Sequence, residues 1–144
     1  MFGGKITTYR KLSESALDKI VPFLKPTQAD WTAGVPLAGG NFPVADVPRL
    51  IRELKIRHPF LTDYTCRRLI RAYGTEAATL LGNARSDADL GRAFGAGLTE
   101  VEVRWLMTRE FARRAEDVVW RRSKLGLRLS VEEIAALDDW MQAA

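Results

Sequence analysis

The sequence predicts an all-α protein, in which a compact multi-helix bundle from about residue 44 onward follows one separate helix near the N-terminus. Apolar residues recur at three- and four-residue spacing along most of the chain, as they do on the buried face of an α-helix. No strand-like alternation of useful length follows residue 26, and the later connections are short. Short connections are typical of helices packed as neighbours, so we expect six or seven helices in the bundle.

Composition excludes several classes of protein. The chain has 144 residues, 47% of them hydrophobic, and a formal charge of +4. The single Cys66 has no partner for an internal disulfide, and with the single His58 it cannot form a Cys/His zinc site. No apolar run reaches the roughly 18 residues of a spanning helix, and no signal-peptide pattern begins the chain. We therefore expect a cytoplasmic location.

The N-terminal helix is followed by a long stretch without periodicity. Thr7 or Thr8 can cap the helix, its apolar positions run from Tyr9 to Phe23, and Pro26 ends it. Prolines and glycines then dominate residues 26–43. Structureless connections of this length are uncommon inside one domain, so we divide the chain into residues 1–25, a linker 26–43 and a helical domain 44–144.

Local signals place the helices of the second part. Asp46 and Thr62 can cap the first two, and residues 75–81 and 86–94 form two shorter ones. Thr99 with Glu102 and Ser130 with Glu133 are spaced as capping boxes, which predicts two further helix starts. Another short helix is expected before Gly126, and Cys66 is expected to be a buried core thiol.

Basic residues concentrate between Arg104 and Arg128, where eight basic side chains stand against three acidic ones. Such a patch could bind nucleic acid, with Trp120 stacking on a base. The charges are interspersed with apolar positions and form no one-sided stripe, which favours ion pairs within the protein, including Asp117 with Arg121 at i, i+4. We expect no nucleic-acid partner.

Other candidate residues have simpler interpretations. His58 has no partner for catalysis or metal binding and is interpreted as a turn residue. Trp105, Trp120 and Trp140 are expected to be core or interface anchors. Gly39 and Gly40 follow no strand, so we interpret them as a loop rather than a phosphate-binding turn.

The segment from Gly3 to Arg10 has the composition of an anion site. Two glycines allow close approach of the backbone, and the positive end of the following helix lies beside Lys5 and the hydroxyls of Thr7 and Thr8. Such an arrangement could hold a phosphate or stabilise negative charge that develops during a reaction. A flexible tail before an ordinary helix is the alternative interpretation, and spacing alone leaves both open.

Two separated motifs carry a resemblance to a known family. Residues 2–12, Phe-Gly-Gly-Lys-Ile-Thr-Thr-Tyr-Arg-Lys-Leu, closely resemble the end of the FAD-binding domain in flavin-dependent glycerol-3-phosphate dehydrogenases and the related glycerophosphate oxidases. Residues 110–126 resemble the signature of that family's C-terminal domain, and the linker also fits. The resemblance covers nearly the whole chain.

The resemblance implies that the chain is the non-catalytic C-terminal part of a larger enzyme. In that family FAD accepts a hydride from sn-glycerol 3-phosphate, dihydroxyacetone phosphate is formed, and electrons pass to quinone at the membrane or to oxygen in the oxidases. By resemblance, Gly4, Lys5, Ile6 and Thr7 lie beside the flavin ring and stabilise charge on its N1/C2 carbonyl edge.

The same resemblance implies partners that this sequence does not contain. These are the upstream FAD-binding and substrate domain of the same chain, with peripheral association of the parent at the inner membrane and a homodimer left open. The family's Gly-x-Gly-x-x-Gly motif is not matched here, so this part alone is expected to bind no FAD and to be inactive. The alternative hypothesis is a stand-alone helical module that binds nucleic acid or another protein.

Overall fold

The computed structural model describes residues 5–24 and 31–144. The chain falls into two compact units, Met1–Pro36 and Leu37–Ala144. The finer division into residues 1–25, 26–43 and 44–144 stays a prediction. Over the described residues, no helix is both long and apolar enough to cross a membrane.

The first unit contains two helical segments where the sequence predicts one continuous helix. A 3-10 turn, Ile6–Thr8, leads into α1, Tyr9–Asp18, and a separate short helix α2 covers Val21–Leu24. Pro22 explains the break, because proline has no N–H to donate to the carbonyl of Asp18 and its ring clashes with that carbonyl in a continuous helix. The predicted end of the helix at Pro26 lies outside the described residues.

The second unit is predominantly helical, which confirms the predicted fold class. Its α-helices are α3 Val47–Arg57, α4 Asp63–Tyr73, α5 Glu76–Leu81, α6 Glu100–Arg109 and α7 Val131–Ala143. A π-helical segment, Asp117–Arg122, lies between α6 and α7. Short 3-10 turns cover Val44–Asp46, Asp87–Leu90 and Leu125–Leu127.

A small β-hairpin replaces the predicted helix over residues 86–94. The segment begins with the 3-10 turn and continues as β1, Ala93–Gly95, which pairs antiparallel with β2, Leu98–Thr99. Gly91, Gly95 and Gly97 all have positive φ. Glycine adopts these angles without steric cost, so they end the helical turn and close the hairpin.

One hydrophobic core joins the elements of the second unit. Side chains from each of its α-helices and from the hairpin and π-helical segment are almost completely buried, among them Leu54, Cys66, Ala77, Leu98, Leu106, Val118, Val119 and Leu137. Cys66 is fully buried, as predicted. Burial of this contiguous apolar surface is the main stabilising contribution to the bundle.

Helix capping in the second unit follows the sequence at two starts and departs from it at two. Asp46 lies at the N-cap position of α3, but its side chain makes no capping hydrogen bond and pairs with Arg49 instead. Thr65 donates its backbone N–H to Thr62 Oγ1, and Ser130 with Glu133 forms the complete capping box. The capping box predicted for Thr99 and Glu102 is wrong, because the Glu102 side chain turns into the core.

A close approach of two backbone segments explains why glycine occupies positions 39 and 74. Thr75 donates its backbone N–H to Gly39 O at 3.0 Å, which brings the loop before α3 against the end of α4. A Cβ on Gly74 would meet the Gly39 carbonyl oxygen and lie 2.9 Å from Phe42 Cε1. Gly39 is thus part of a loop, as predicted, and its neighbourhood has no room for a side chain at either glycine.

Gly74→Ala is expected to destabilise the protein more than Gly82→Ala does. Both glycines end a helix with φ of 55° and similar ψ, so an alanine suffers the same backbone strain at each. Only at Gly74 does the added Cβ collide with backbone, since the nearest atom at Gly82 is 4.0 Å away. We expect a further loss of about 1–3 kcal/mol in the free energy of urea-induced unfolding. Equal losses in the two variants would contradict the proposed collision.

Candidate functional site

The predicted flavin-edge residues lie at the start of the first helix. Lys5 has an extended backbone with φ −87° and ψ 141°, and Thr8 donates both its N–H and its Oγ1 hydroxyl to Lys5 O at 3.0 Å. Lys5, Ile6 and Thr7 are exposed, Ile6 to 88%. Gly4 lies outside the described residues. Thr8 occupies the N-cap position of α1, but its side chain makes no capping hydrogen bond. The predicted position of the cap is therefore confirmed, and the predicted side-chain bond is wrong.

A buried carboxylate lies further along the same helix. Glu14 on α1 accepts hydrogen bonds from Arg10 at 2.8 Å, from Lys11 at 2.9 Å and from the Thr32 hydroxyl. The hydrogen bond from Thr32, then that from Lys11 and the charges of both basic residues, lower the pKa of Glu14 to about 2. The i, i+3 and i, i+4 spacings were visible in the sequence, but nothing local indicated Thr32.

In the second unit, the charged centre is a buried pair between α4 and α6. Arg68 donates Nη1 to Glu102 Oε1 at 2.6 Å and Nη2 to Glu102 Oε2 at 2.7 Å, a two-pronged arrangement that suits guanidinium and carboxylate. Tyr73 donates its hydroxyl to Glu102 Oε1 at 2.8 Å, and Arg68 Nη2 also reaches Gly97 O at 2.7 Å. The network therefore joins two helices and the hairpin turn.

Burial decides the electrostatics of this network. The Glu102 side chain is 2% exposed and that of Arg68 is 13% exposed. Burial first, and the neighbouring Glu102 carboxylate second, raise the pKa of Tyr73 far above its usual range, so its hydroxyl stays a donor. Sequence reasoning missed this network because Glu102 is 34 residues from Arg68 and 29 from Tyr73, and because Glu102 fits a local capping pattern.

Glu102→Gln is expected to lower the free energy of unfolding by about 3–5 kcal/mol, because it leaves the Arg68 guanidinium buried without its counter-charge. Urea unfolding near neutral pH measures the loss. Glu53→Gln is the matched control: it removes a carboxylate from an exposed i, i+4 pair with Arg49 and should leave stability nearly unchanged. A loss below about 1 kcal/mol for Glu102→Gln would show that the pair is not effectively desolvated.

Several basic side chains of the segment from Arg104 to Arg128 have partners within the protein. Arg104 pairs with Glu100 at 2.9 Å, Arg121 pairs with Glu116 at 2.9 Å and also with Asp117, and Arg122 donates to Glu110 O at 2.7 Å. The predicted pair of Asp117 and Arg121 is confirmed. Part of the positive charge of this segment is therefore balanced within the protein.

Asp117 also organises the start of the π-helical segment. Its Oδ2 accepts backbone N–H groups from Arg113 at 2.9 Å and Arg114 at 3.1 Å. The bond from Arg113, then the Arg121 side chain, lower the pKa of Asp117 to about 2. Within residues 110–126, which resemble the family signature, the Asp117 carboxylate therefore links the backbone before the π-helical segment to a side chain within it.

Asp117→Asn is expected to make stability less dependent on pH in the acid range. The folded-state pKa lies below the ordinary value of 3.8. The carboxylate's contribution is therefore complete above about pH 4 and is lost as the pH falls towards about 2. Unfolding free energies measured between about pH 5 and about pH 2 should fall less steeply in the variant.

Asp139→Asn is the control for this measurement, since the Asp139 side chain is exposed and makes no hydrogen bond among the described residues. It should keep the slope of the unchanged protein. The same slope in Asp117→Asn and the unchanged protein would contradict the assigned role of Asp117.

His58 and two of the tryptophans contribute to the packing of the second unit. His58 follows the last residue of α3, as the turn interpretation predicts, but it is buried, with Nδ1 3.0 Å from Ala84 O. Trp105 and Trp140 pack against the core, while Trp120 is 38% exposed. Within the described ranges, no group of three His, Cys, Asp or Glu side chains is arranged for a metal ion.

Comparison with known proteins identifies the family to which the chain is similar. Residues 31–143 match the family model described as the C-terminal domain of alpha-glycerophosphate oxidase. The chain is 40% identical over 141 residues to the aerobic glycerol-3-phosphate dehydrogenase of Escherichia coli (strain K12), covering 98% of this chain and 28% of that protein. It is 43% identical over 143 residues to the glycerol-3-phosphate dehydrogenase of Pseudomonas aeruginosa, with 99% and 28% covered.

A further relative carries a different name. The D-erythritol 1-phosphate dehydrogenase of Brucella abortus is 35% identical over 144 residues, which is all of this chain and 29% of that protein. The chain thus spans less than a third of the length of the relatives it matches. Because the family model matches residues 31–143, which include all the helices of the second unit, the chain belongs to the family of alpha-glycerophosphate oxidase C-terminal domains.

Proposed function

We propose that this chain is the non-catalytic C-terminal part of an FAD-dependent dehydrogenase that oxidises sn-glycerol 3-phosphate to dihydroxyacetone phosphate and passes the electrons to quinone. The observation that carries the proposal is the similarity, at 40% and 43% identity, to two glycerol-3-phosphate dehydrogenases across nearly all of this chain. The upstream FAD-binding and substrate domain of the same chain is the principal partner.

The composition of the second unit supports a non-catalytic role. Three of its carboxylates are engaged in structure: Glu102 in the buried network, Asp117 at the π-helical segment and Glu133 in a capping box. The sequence has no Gly-x-Gly-x-x-Gly motif for the FAD pyrophosphate. We propose that the chain alone binds no FAD and turns over no substrate.

The segment Gly4, Lys5, Ile6 and Thr7 is proposed to lie at the flavin. Lys5 is exposed at the start of a helix, where a cation and helix N–H groups favour negative charge, and this suits the N1/C2 carbonyl edge of an isoalloxazine ring. When bound, FAD supplies the hydride acceptor for C2 of the substrate. The contribution of this chain is to orient the ring edge and to stabilise charge there through Lys5.

An exposed apolar surface supports attachment to a larger domain. On the first unit, Ile20 is 46% exposed, Leu24 59% and Phe23 83%. Clustered apolar side chains at this exposure are typical of a surface that another protein segment covers. We propose that the FAD-binding domain covers it, and that the parent associates peripherally with the inner membrane, with a homodimer as its assembly.

A chimera tests the proposal. The region of the Escherichia coli relative that matches this chain is replaced by this chain, and the product is assayed for flavin absorbance and for quinone reduction that depends on glycerol 3-phosphate. We expect a yellow, active protein. In that chimera Lys5→Met should lower the turnover on the order of 10²-fold, the cost of losing one preorganised charge-stabilising group.

Two controls make the result specific. Lys19→Met removes an exposed lysine from the same unit and should leave turnover unchanged. D-erythritol 1-phosphate is assayed in parallel, because one relative is named for that substrate. A folded but colourless and inactive chimera would count against the assigned parent, and equal turnover in the two lysine variants would count against the flavin-edge role of Lys5.

A further inference from the structure

A cleft of about 380 Å³ opens beside α4, and its walls contain no acidic residue. The lining residues are basic, aromatic or small: Tyr64, Arg67, Arg68, Arg71, Ala72, Arg122 and Ser123. Four arginines from two separate parts of the chain thus converge on one concave surface. The proposed function uses none of them.

Two elements carry these arginines. Arg67 and Arg71 are four residues apart on α4 and therefore project from the same face of the helix. Arg122, the last residue of the π-helical segment, is anchored by its hydrogen bond to Glu110 O at 2.7 Å. Beside it, Ser123 donates its hydroxyl to Val118 O at 2.7 Å. The far wall of the cleft is therefore preorganised.

The charges of the cleft are only partly balanced. Arg68 is paired with Glu102, and Arg122 lies 4.0 Å from Asp117. No carboxylate of the described residues lies within 4.0 Å of the Arg67 or Arg71 guanidinium, although other arginines of this unit have such pairs. Positive charges held together in a concavity attract an anion, because low-dielectric walls focus their field.

Geometry narrows the class of anion. The planar guanidinium fork matches the oxygens of phosphate, and several guanidinium groups lining one cleft favour a compact group with multiple negative oxygens. The volume falls in the range of small-molecule sites, whereas an acidic protein partner would need a contact surface of roughly 800 Å² per partner. The Tyr64 ring, with the Arg128 guanidinium 4.9 Å from its centroid, offers an apolar wall for an organic moiety.

We infer that this cleft binds the phosphate group of a small phosphorylated molecule, held by Arg67, Arg71 and Arg122. The site is separate from the Lys5 segment and requires neither flavin nor the upstream domain. Inorganic phosphate and a phosphomonoester share this chemistry, and the two probes of the experiment separate them.

The experiment titrates the 144-residue chain with inorganic phosphate and, separately, with sn-glycerol 3-phosphate at constant ionic strength. NMR follows the arginine Nε–Hε signals and the Ser123 amide. We expect saturable shifts confined to Arg67, Arg71, Arg122 and Ser123. Tighter binding of glycerol 3-phosphate supports a phosphorylated metabolite that contacts Tyr64, and equal affinities support free phosphate as the ligand.

A pair of charge-matched variants separates a site from diffuse attraction. Arg67→Gln with Arg71→Gln should weaken phosphate binding by about tenfold or more, because two charge-assisted contacts are lost. Arg52→Gln with Arg85→Gln removes the same charge from exposed positions elsewhere and should leave binding unchanged. Far-UV circular dichroism and thermal melting check that both double variants fold.

Three results would overturn the inference. One is the absence of saturable shifts with either probe. Another is equal weakening of phosphate binding in the two double variants, which would mean that net charge and not the cleft attracts the anion. The last is salt-sensitive binding of duplex DNA without binding of either small phosphate, which would identify the surface as a nucleic-acid contact.

Discussion

The buried ion pair of Arg68 and Glu102 is the constraint on which the arrangement of the second unit depends. Two charged groups have been taken out of water, and that cost is offset only while both partners and their hydrogen bonds are present. Tyr73 and the Gly97 carbonyl complete the set. Because the partners come from α4, α6 and the hairpin turn, the relative positions of these three elements are specified more narrowly than apolar packing alone would require.

The same pair accounts for the surface chemistry around it. With Arg68 neutralised from within, the neighbouring arginines of α4 face the cleft without a carboxylate of their own among the described residues. Across the cleft, Arg122 is oriented by a carbonyl rather than by a strong ion pair. The bundle thus buries the Glu102 carboxylate and leaves the positive charge of the arginines at the surface. Composition alone does not reveal this separation of charge.

Two of the local capping signals hold because no distant group competes for the same side chain. Ser130 and Glu133 form their capping box, and Thr62 caps α4, because exposed helix starts offer these side chains no better partner. Thr99 and Glu102 have the same spacing, but Glu102 gains a guanidinium and a phenol from α4 instead. The sequence predicts the helical class and most helix positions. It cannot predict which distant residue forms a hydrogen bond or ion pair with a given side chain.

The remaining differences also have physical reasons. Pro22 interrupts the first helix at a position that apolar periodicity does not reveal, and the hairpin around Gly95 and Gly97 is too short to produce visible alternation. The arginine cleft joins residues more than 50 positions apart, so no motif marks it. The flavin-edge segment was proposed from a contiguous motif, which is the kind of signal a single sequence carries best.

The contact of Gly39 with the end of α4 differs in kind from the buried ion pair. A charged pair can be exchanged as a unit, since a second substitution at the partner position can compensate for the first. At Gly39 and Gly74 the nearest obstructing atoms are backbone carbonyl oxygens, and neither glycine has a side chain that could be shortened. A larger residue at one glycine therefore cannot be compensated by a substitution at the other. Both glycines must be retained for the loop and the helix end to pack against each other.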